Sequence, residues 1–170
     1  MVPSDNAISL IQLDVAFRPV AYRKDGHFRI GYEHQGPDVH QGLSISKDQA
    51  LALLKADLNN VALLLDRHFR EVPPVPCAAL SPDMARQFPG ITPSCNRQHV
   101  FDALVALAFH IGVQPLIKSS LWKALLNQAD EDTIRAEFER WVFEDGKPHP
   151  EHVARRQHEA DWMFSTQSSL

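Results

Sequence analysis

The sequence predicts an α+β fold in which a small sheet lobe and a helical lobe are joined by one long helix. Three observations lead there. From Ser46 onward about two dozen residues carry apolar side chains at helical spacing. Ahead of them the pattern is short, alternating and broken by Gly and Pro, as in a small sheet. After residue 96 come further helical patterns separated by Gly and Pro, with no strand pattern between them.

The elements follow in order. Ser4 or Asp5 caps a first short helix whose apolar positions are Ile8, Leu10, Ile11, Leu13 and Val15. Pro19, the Lys24-Asp25-Gly26 turn and Tyr22, Phe28, Ile30 and Tyr32 predict a hairpin or three-stranded sheet. Ser46 and Gln49 form a capping box that opens the long helix, with Leu51, Leu54, Leu58, Val61, Leu64 and Leu65 on it as far as Phe69. Residues 72–94 hold six of the 12 prolines and predict a loop, with one turn around 83–87. Helices are expected over 97–111, closed by Gly112, and then over 119–129, 131–144 and 151–164. One domain over 1–170 is expected, with a sheet lobe at 17–45, a joining helix at 46–70, an inserted loop at 73–96 and a helical lobe at 97–164.

Composition excludes several classes. A chain of 170 residues, 44% hydrophobic, can bury a core without metal or disulfide. A net charge of −4 argues against sequence-independent nucleic-acid binding, and no run is long and apolar enough for a membrane span. Met1 to Asn6 lacks the basic cluster of a signal peptide, so cytoplasmic synthesis is expected, with later placement in a phage particle, periplasm or wall depending on other factors. Cys77 and Cys95 lie in the proline-rich stretch with no metal-ligand spacing. Reduced thiols are expected there, with a disulfide across the loop as the alternative. No metal or cofactor is indicated.

Three blocks resemble the phage-type lysozymes. The first is Leu10-Ile11, Phe17-Arg18, Ala21-Tyr22, Asp25-Gly26 and Ile30-Gly31-Tyr32-Glu33-His34. The second runs from Ile45-Ser46-Lys47-Asp48-Gln49-Ala50 to Asp57-Leu58. The third joins Phe101-Asp102-Ala103-Leu104-Val105, Ala108-Phe109-His110-Ile111-Gly112, Arg140-Trp141-Val142 and Arg155-Arg156 with Glu159. The likeness covers about 10–164, with 73–96 longer than usual. It implies the two-lobed fold of that family and peptidoglycan as the expected ligand.

Family members cleave a glycosidic bond with a proton-donating glutamate, an aspartate and a threonine. Glycoside hydrolysis needs an acid at the leaving oxygen and a second group as base or nucleophile. By the resemblance, Val15 stands at the glutamate position, Ala16 at its glycine neighbour and Arg29 at the threonine. Asp25 matches the aspartate once the turn changes length by one residue. Valine cannot donate a proton. Asp14 is rotated about 100° along the helix from that position and is expected to pair with Arg155 or Arg156.

Two more departures fall in the expected cleft. Glu33 replaces a family glycine, and His110 an amide residue. Glu33 is either a relocated catalytic carboxyl, with Asp25, or a surface glutamate balancing Arg29 or a C-terminal arginine. His34 with Asp57 matches a structural pair joining sheet to long helix. His110 on an apolar helix is expected to be structural, although it and Tyr32 fall in the cleft with Val15 and Arg29. Trp122, Trp141 and Trp162 are expected in the core.

The resulting expectation is a degenerate lysozyme, non-hydrolytic, whose cleft or surface binds peptidoglycan or a phage or bacterial protein. The alternatives are an active muramidase or transglycosylase using Glu33, and a docking role for 73–96.

Overall fold

The computed structural model describes residues 1–77, 94–144 and 146–166. Among them are seven helices and two short hairpins, arranged as a sheet lobe and a helical lobe joined by one long helix. Helix α1 spans Asp5–Asp14 and begins at Ser4, whose Oγ accepts from the Asn6 amide at 3.2 Å. Ala7, Leu10 and Ile11 turn inward, whereas Leu13 is 56% exposed and lies off the buried face.

Strands β1 (Arg18–Lys24) and β2 (His27–Gly31) pair antiparallel, Lys24 opposite His27. Asp25 and Gly26 turn between them with φ of 51° and 82°, the type I′ geometry that suits the twist of a two-residue hairpin. A bridge from Val20 to Ser44 widens the sheet without adding a full strand.

Helix α2 spans Lys47–Phe69, with both halves of the Ser46–Gln49 capping box formed. Its buried face runs Ala50, Leu54, Leu58, Ala62, Leu65 and Phe69, the stripe that 3.6 residues per turn requires. Leu64 is 59% exposed and stands outside it. Gly31 is where the sheet meets this helix. Its φ is +65°, and a Cβ there would come within 2.9 Å of the Ala50 Cβ, so only glycine fits.

Helix α3 (Arg97–Ile111) is the centre of the helical lobe. Ten successive residues, His99 to Ala108, are buried on every face, and α1, α2 and the last helix pack around it. Arg97 donates to the carbonyls of Phe69 and Val72 at 2.9 Å each and lies over the Phe69 ring, so the open C-terminal end of α2 is satisfied from α3. Gly112, at φ 87°, closes α3 as expected.

Three differences from the sequence reading lie beyond α3. A short helix α4 (Val113–Ile117) takes Pro115 in its first turn, where proline's missing N–H has no partner to lose. Helix α5 (Ser120–Leu126), capped by Ser119, is shorter than expected. Helix α6 (Glu131–Glu139) stops before Trp141 because the chain turns into a hairpin, β3 (Phe143–Glu144) with β4 (Lys147–Pro148), around Gly146 at φ 77°. Helix α7 (Pro150–Met163) then returns along α3 with proline at its start.

Of the 73–96 stretch, the two ends meet in a Pro76–Ser94 bridge, and the Cys95 amide donates to the Val75 carbonyl at 2.9 Å. The turn expected near 83–87 lies outside the described residues. No helix among the described residues is long and apolar enough to cross a membrane.

Asp102 ties the start of the chain to α3. Fully buried, it accepts from the Ser4 amide at 2.9 Å, the Ser4 hydroxyl at 2.5 Å and the Gln98 side chain at 2.9 Å. Asp102→Ala strips the partner from all three donors and should cost about 2 kcal/mol of stability. A urea titration should show a lower midpoint with an unchanged slope. An unchanged midpoint would mean that these bonds contribute nothing net.

Candidate functional site

The sheet lobe offers its charged side chains to the helical lobe across a cleft of about 270 Å³. Lys24 and Asp25 come from the type I′ turn. Arg29 lies on β2 opposite Tyr22, so the register sets its side. Glu33 arrives differently. Ile30 and His34 exchange both backbone hydrogen bonds, at 3.0 and 2.9 Å, which closes a tight loop over residues 31–33. Within it Glu33 has φ +65°, a left-handed conformation that costs a residue other than glycine of order 1 kcal/mol. The helical lobe supplies His110 from the end of α3, Arg140 and Trp141 after α6, and Arg155 and Arg156 from α7.

Glu33 is the electrostatic centre of this cleft. Its carboxylate lies 3.5 Å from Arg29, 3.6 Å from Lys24 and 3.7 Å from His110 Nδ1, and so bridges the two lobes. The carboxyl is held down to about 2, first by the N–H that His110 can offer it and then by the charges of Lys24 and Arg155, which outweigh its own burial. Burial, with Arg155 and Arg156 nearby, pushes His110 down to about 4 against the pull of Glu33, so the ring is neutral at pH 7.

One neutral ring nitrogen cannot serve both neighbours. Arg155 Nη1 stands 3.2 Å from the same Nδ1, closer than Glu33, and a guanidinium only donates. The two contacts compete for that nitrogen: protonated it donates toward Glu33, unprotonated it accepts from Arg155, and in both cases the charges of Lys24 and Arg155 favour the ionised Glu33. Asp25, 67% exposed, meets Arg29 at 3.6 Å.

A second hollow of about 400 Å³ continues on the far side, between Gln35, Asp57, Asn60 and Phe109. Arg29, Glu33 and His110 line both hollows, so this trio stands where the two meet.

Glu33, Asp25, Arg29 and His110 thus converge on one cleft. Val15 and Tyr32 do not line it. Val15 is 6% exposed and packs in the hydrophobic core as α1 ends in extended backbone. Tyr32 is equally buried, its hydroxyl accepting from Gln12 at 3.0 Å and its ring beside Phe17. The tight loop that turns Glu33 outward leaves Tyr32 in the core.

His34 Nδ1 stands 2.7 Å from the Asp57 carboxylate and ties the sheet loop to α2. Asp14 pairs with His158 at 3.0 Å rather than with Arg155 or Arg156. Those arginines are turned elsewhere on α7, Arg155 to His110 and Arg156 to the buried Glu159 at 2.6 Å. Burial pushes Glu159 up to about 7 against the pull of Arg156, but it does not line the cleft. Cys77 and Cys95 are free thiols, and burial, with Cys77 beside it, pushes Cys95 up to about 12, far from a reactive thiolate. Trp122 and Trp162 are core residues, whereas Trp141 lines the cleft with Phe143. The signal for Trp141 was its place in the Arg-Trp-Val block; the hairpin that brings Phe143 beside it carried none.

Similarities to known proteins fit this architecture. A family model described as phage lysozyme matches residues 77–159. The endolysin of Bacillus phage B103 is 29% identical over 168 residues, which cover 97% of this chain and 55% of that protein. The chain thus spans about half the length of that relative. The endolysin of Acyrthosiphon pisum secondary endosymbiont phage 1 is 29% identical over 92% of this chain and 93% of its own. Among solved structures, the muramidase domain of SpmX from Asticaccaulis excentricus superposes with a TM-score of 0.71 at 21% identity, covering 95% of this chain and 97% of that one. The endolysin from Escherichia coli O157:H7 phage FAHEc1 gives 0.70 at 22% identity, covering 98% and 96%. At such identities these two structures establish a shared fold.

The lowered Glu33 carboxyl sets a pH window. An unfolded chain takes up this proton near 4.5, the folded chain only near 2, so the stabilisation is complete above about 4.5 and is lost as pH falls toward 2. Glu33→Gln lacks that contribution at all pH values. Denaturant midpoints of the two proteins should differ at pH 7 and converge between about pH 5 and 2. A constant gap would show that Glu33 is not held ionised by its neighbours.

Proposed function

We propose that this chain, which is similar to the phage-type lysozymes in sequence and fold, is a non-hydrolytic member of that family whose cleft binds peptidoglycan fragments rather than cutting them. One observation carries this reading: Glu33, the carboxyl that stands between the two hollows, is kept ionised by its neighbours. The position that the resemblance assigns to the catalytic glutamate is Val15, packed in the core. Glu33, the carboxyl best placed to replace it, is held well below the usual carboxylate range by His110 and the neighbouring cations, so it stays ionised where an acid catalyst must carry its proton. An acid catalyst needs the opposite surroundings, a carboxyl raised by an apolar pocket. His110, lowered to about 4, is no better as an acid at neutral pH.

An active glycosidase is the second reading, favoured by one fact. Glu33 lines the cleft on both sides, and as a permanent carboxylate it could stabilise a developing positive charge or act as a nucleophile. That chemistry still requires a separate proton donor at the leaving oxygen. Asp25, 67% exposed and beside Arg29, is the remaining carboxyl lining the cleft.

The test is direct. Folded protein is incubated at high loading with isolated peptidoglycan, and soluble products are read by mass spectrometry. Intact wall should be recovered, with protein bound to it in a pelleting assay. Muropeptides with new reducing ends would make the protein a hydrolase, and anhydro ends a transglycosylase. In either case Glu33→Gln and Asp25→Asn become the decisive variants.

A further inference from the structure

We propose that Cys77 and Cys95 are a redox-sensitive pair, which a disulfide oxidant converts to an intramolecular cystine that staples the connection between α2 and α3. Neither residue lines the cleft, and nothing about the pair depends on what the cleft binds.

Backbone pairing brings the two thiols together. Pro76 and Ser94 face each other in an antiparallel bridge, and the Cys95 amide donates to the Val75 carbonyl at 2.9 Å. Side chains alternate along paired extended chain, so Val75, Cys77 and Cys95 all project to the face opposite Pro76 and Ser94. Cys77 and Cys95 are therefore diagonal neighbours on one face. The lean of Cys95 shortens that diagonal. Its thiol donates at 3.7 Å to the Pro76 carbonyl, which belongs to the peptide leading into Cys77. The thiols also act on each other: after burial, Cys77 is the next cause that pushes the Cys95 thiol up to about 12. Among the described residues the bridge stands outside any longer strand, so the two chains can adjust to the Cα separation that a disulfide needs.

Their surroundings set the order of the chemistry. Cys77 is half-buried, whereas Cys95 is 9% exposed and belongs to the core, so an oxidant reaches Cys77 first. The Cys77 thiolate attacks one sulfur of a low-molecular-weight disulfide, RSSR. A Cys77–SR bond forms, the S–S bond of RSSR breaks, and one thiolate leaves. Cys95 then gives up its proton and attacks the Cys77 sulfur, expelling the second thiolate. The two cysteines together lose two electrons and two protons, and RSSR becomes two RSH. Once Cys77 carries the SR group it no longer opposes ionisation of Cys95 as a neighbouring thiol.

Position gives the bond its effect. Two residues beyond Cys95, Arg97 donates to the Phe69 and Val72 carbonyls at the end of α2. Val75, Cys95 and Arg97 also border a hollow of about 140 Å³, so the core beside this junction is not filled. A cystine would close the chain from 77 to 95 into a ring there. The ring restricts the unfolded chain and so favours the folded one.

The experiment equilibrates the full chain with graded ratios of oxidised to reduced glutathione, once folded and once in urea. Thiols are then trapped by alkylation, and intact mass and peptide maps are read. The folded chain should lose two hydrogen atoms and yield a cross-linked peptide pair holding Cys77 and Cys95. The effective concentration of the pair against glutathione should be about tenfold or more higher in the folded chain than in urea, and the oxidised protein should unfold at a higher urea midpoint. In Cys95→Ser a glutathione adduct at Cys77 should persist, and in Cys77→Ser the buried Cys95 should stay free. Thiols that remain free in the folded chain under excess oxidised glutathione would overturn the proposal. Separate adducts without a cross-link, or an effective concentration no higher folded than unfolded, would do the same. Cross-linked dimers that grow with protein concentration would assign the thiols to pairing between chains instead and overturn the staple. These readings come from the unmutated chain and stand whether or not either variant folds.

Discussion

Helix α3 is the constraint on which the rest depends. A helix buried on all faces over ten residues cannot shift without opening the core, so the elements packed on it are fixed relative to one another. α1 and α2 lie along one side, anchored through Asp102 and Arg97, and α7 lies along another. The end of α3 at Gly112 sets His110 at the base of the cleft. α7, held against α3, sets Arg155 within 3.2 Å of it. Core packing therefore fixes the His110 and Arg155 wall of the cleft, while the sheet lobe's turn and loop supply the wall that faces it.

That geometry has an electrostatic consequence. Arginines on one wall and Lys24 and Arg29 on the other would repel across a narrow gap with nothing between them. Glu33 stands in that gap, and the strain of its left-handed backbone is offset by contacts on both sides. The same surroundings that make Glu33 a good bridge make it a poor acid. Cations close to a carboxyl stabilise its charged form, whereas acid catalysis needs the neutral form kept available. The two roles exclude each other at one side chain.

The sequence made the backbone plan legible where local chemistry is strong. The Ser46–Gln49 capping box, the Asp25-Gly26 turn, the Gly112 stop and the buried run on α3 each depend on neighbours within a few residues. The His34–Asp57 pair was legible only through family resemblance, since 23 residues separate its members. What escaped was decided by three-dimensional placement. Asp14 faced the right helix, but His158 occupies the turn of α7 that reaches it. Leu64 and Leu13 have helical spacing yet sit off the buried stripes of their helices and stay largely exposed. Tyr32 and Glu33 are adjacent in a loop, and only the left-handed φ of Glu33 shows that one turns inward and the other out.

Val15 and Arg29 are best understood as one change rather than two. With valine in the core, nothing at the end of α1 offers a negative charge to the cleft. A cation at position 29 then needs another anion, and Glu33 and Asp25 stand within 3.6 Å to provide it. The resulting cluster closes on itself across the lobes, with Glu33 between Arg29 and Lys24 on one side and His110 on the other. A site arranged for hydrolysis keeps an acid uncharged and a path for water. Here Glu33 is kept charged by His110, Lys24 and Arg29, the opposite of the surroundings that acid catalysis requires.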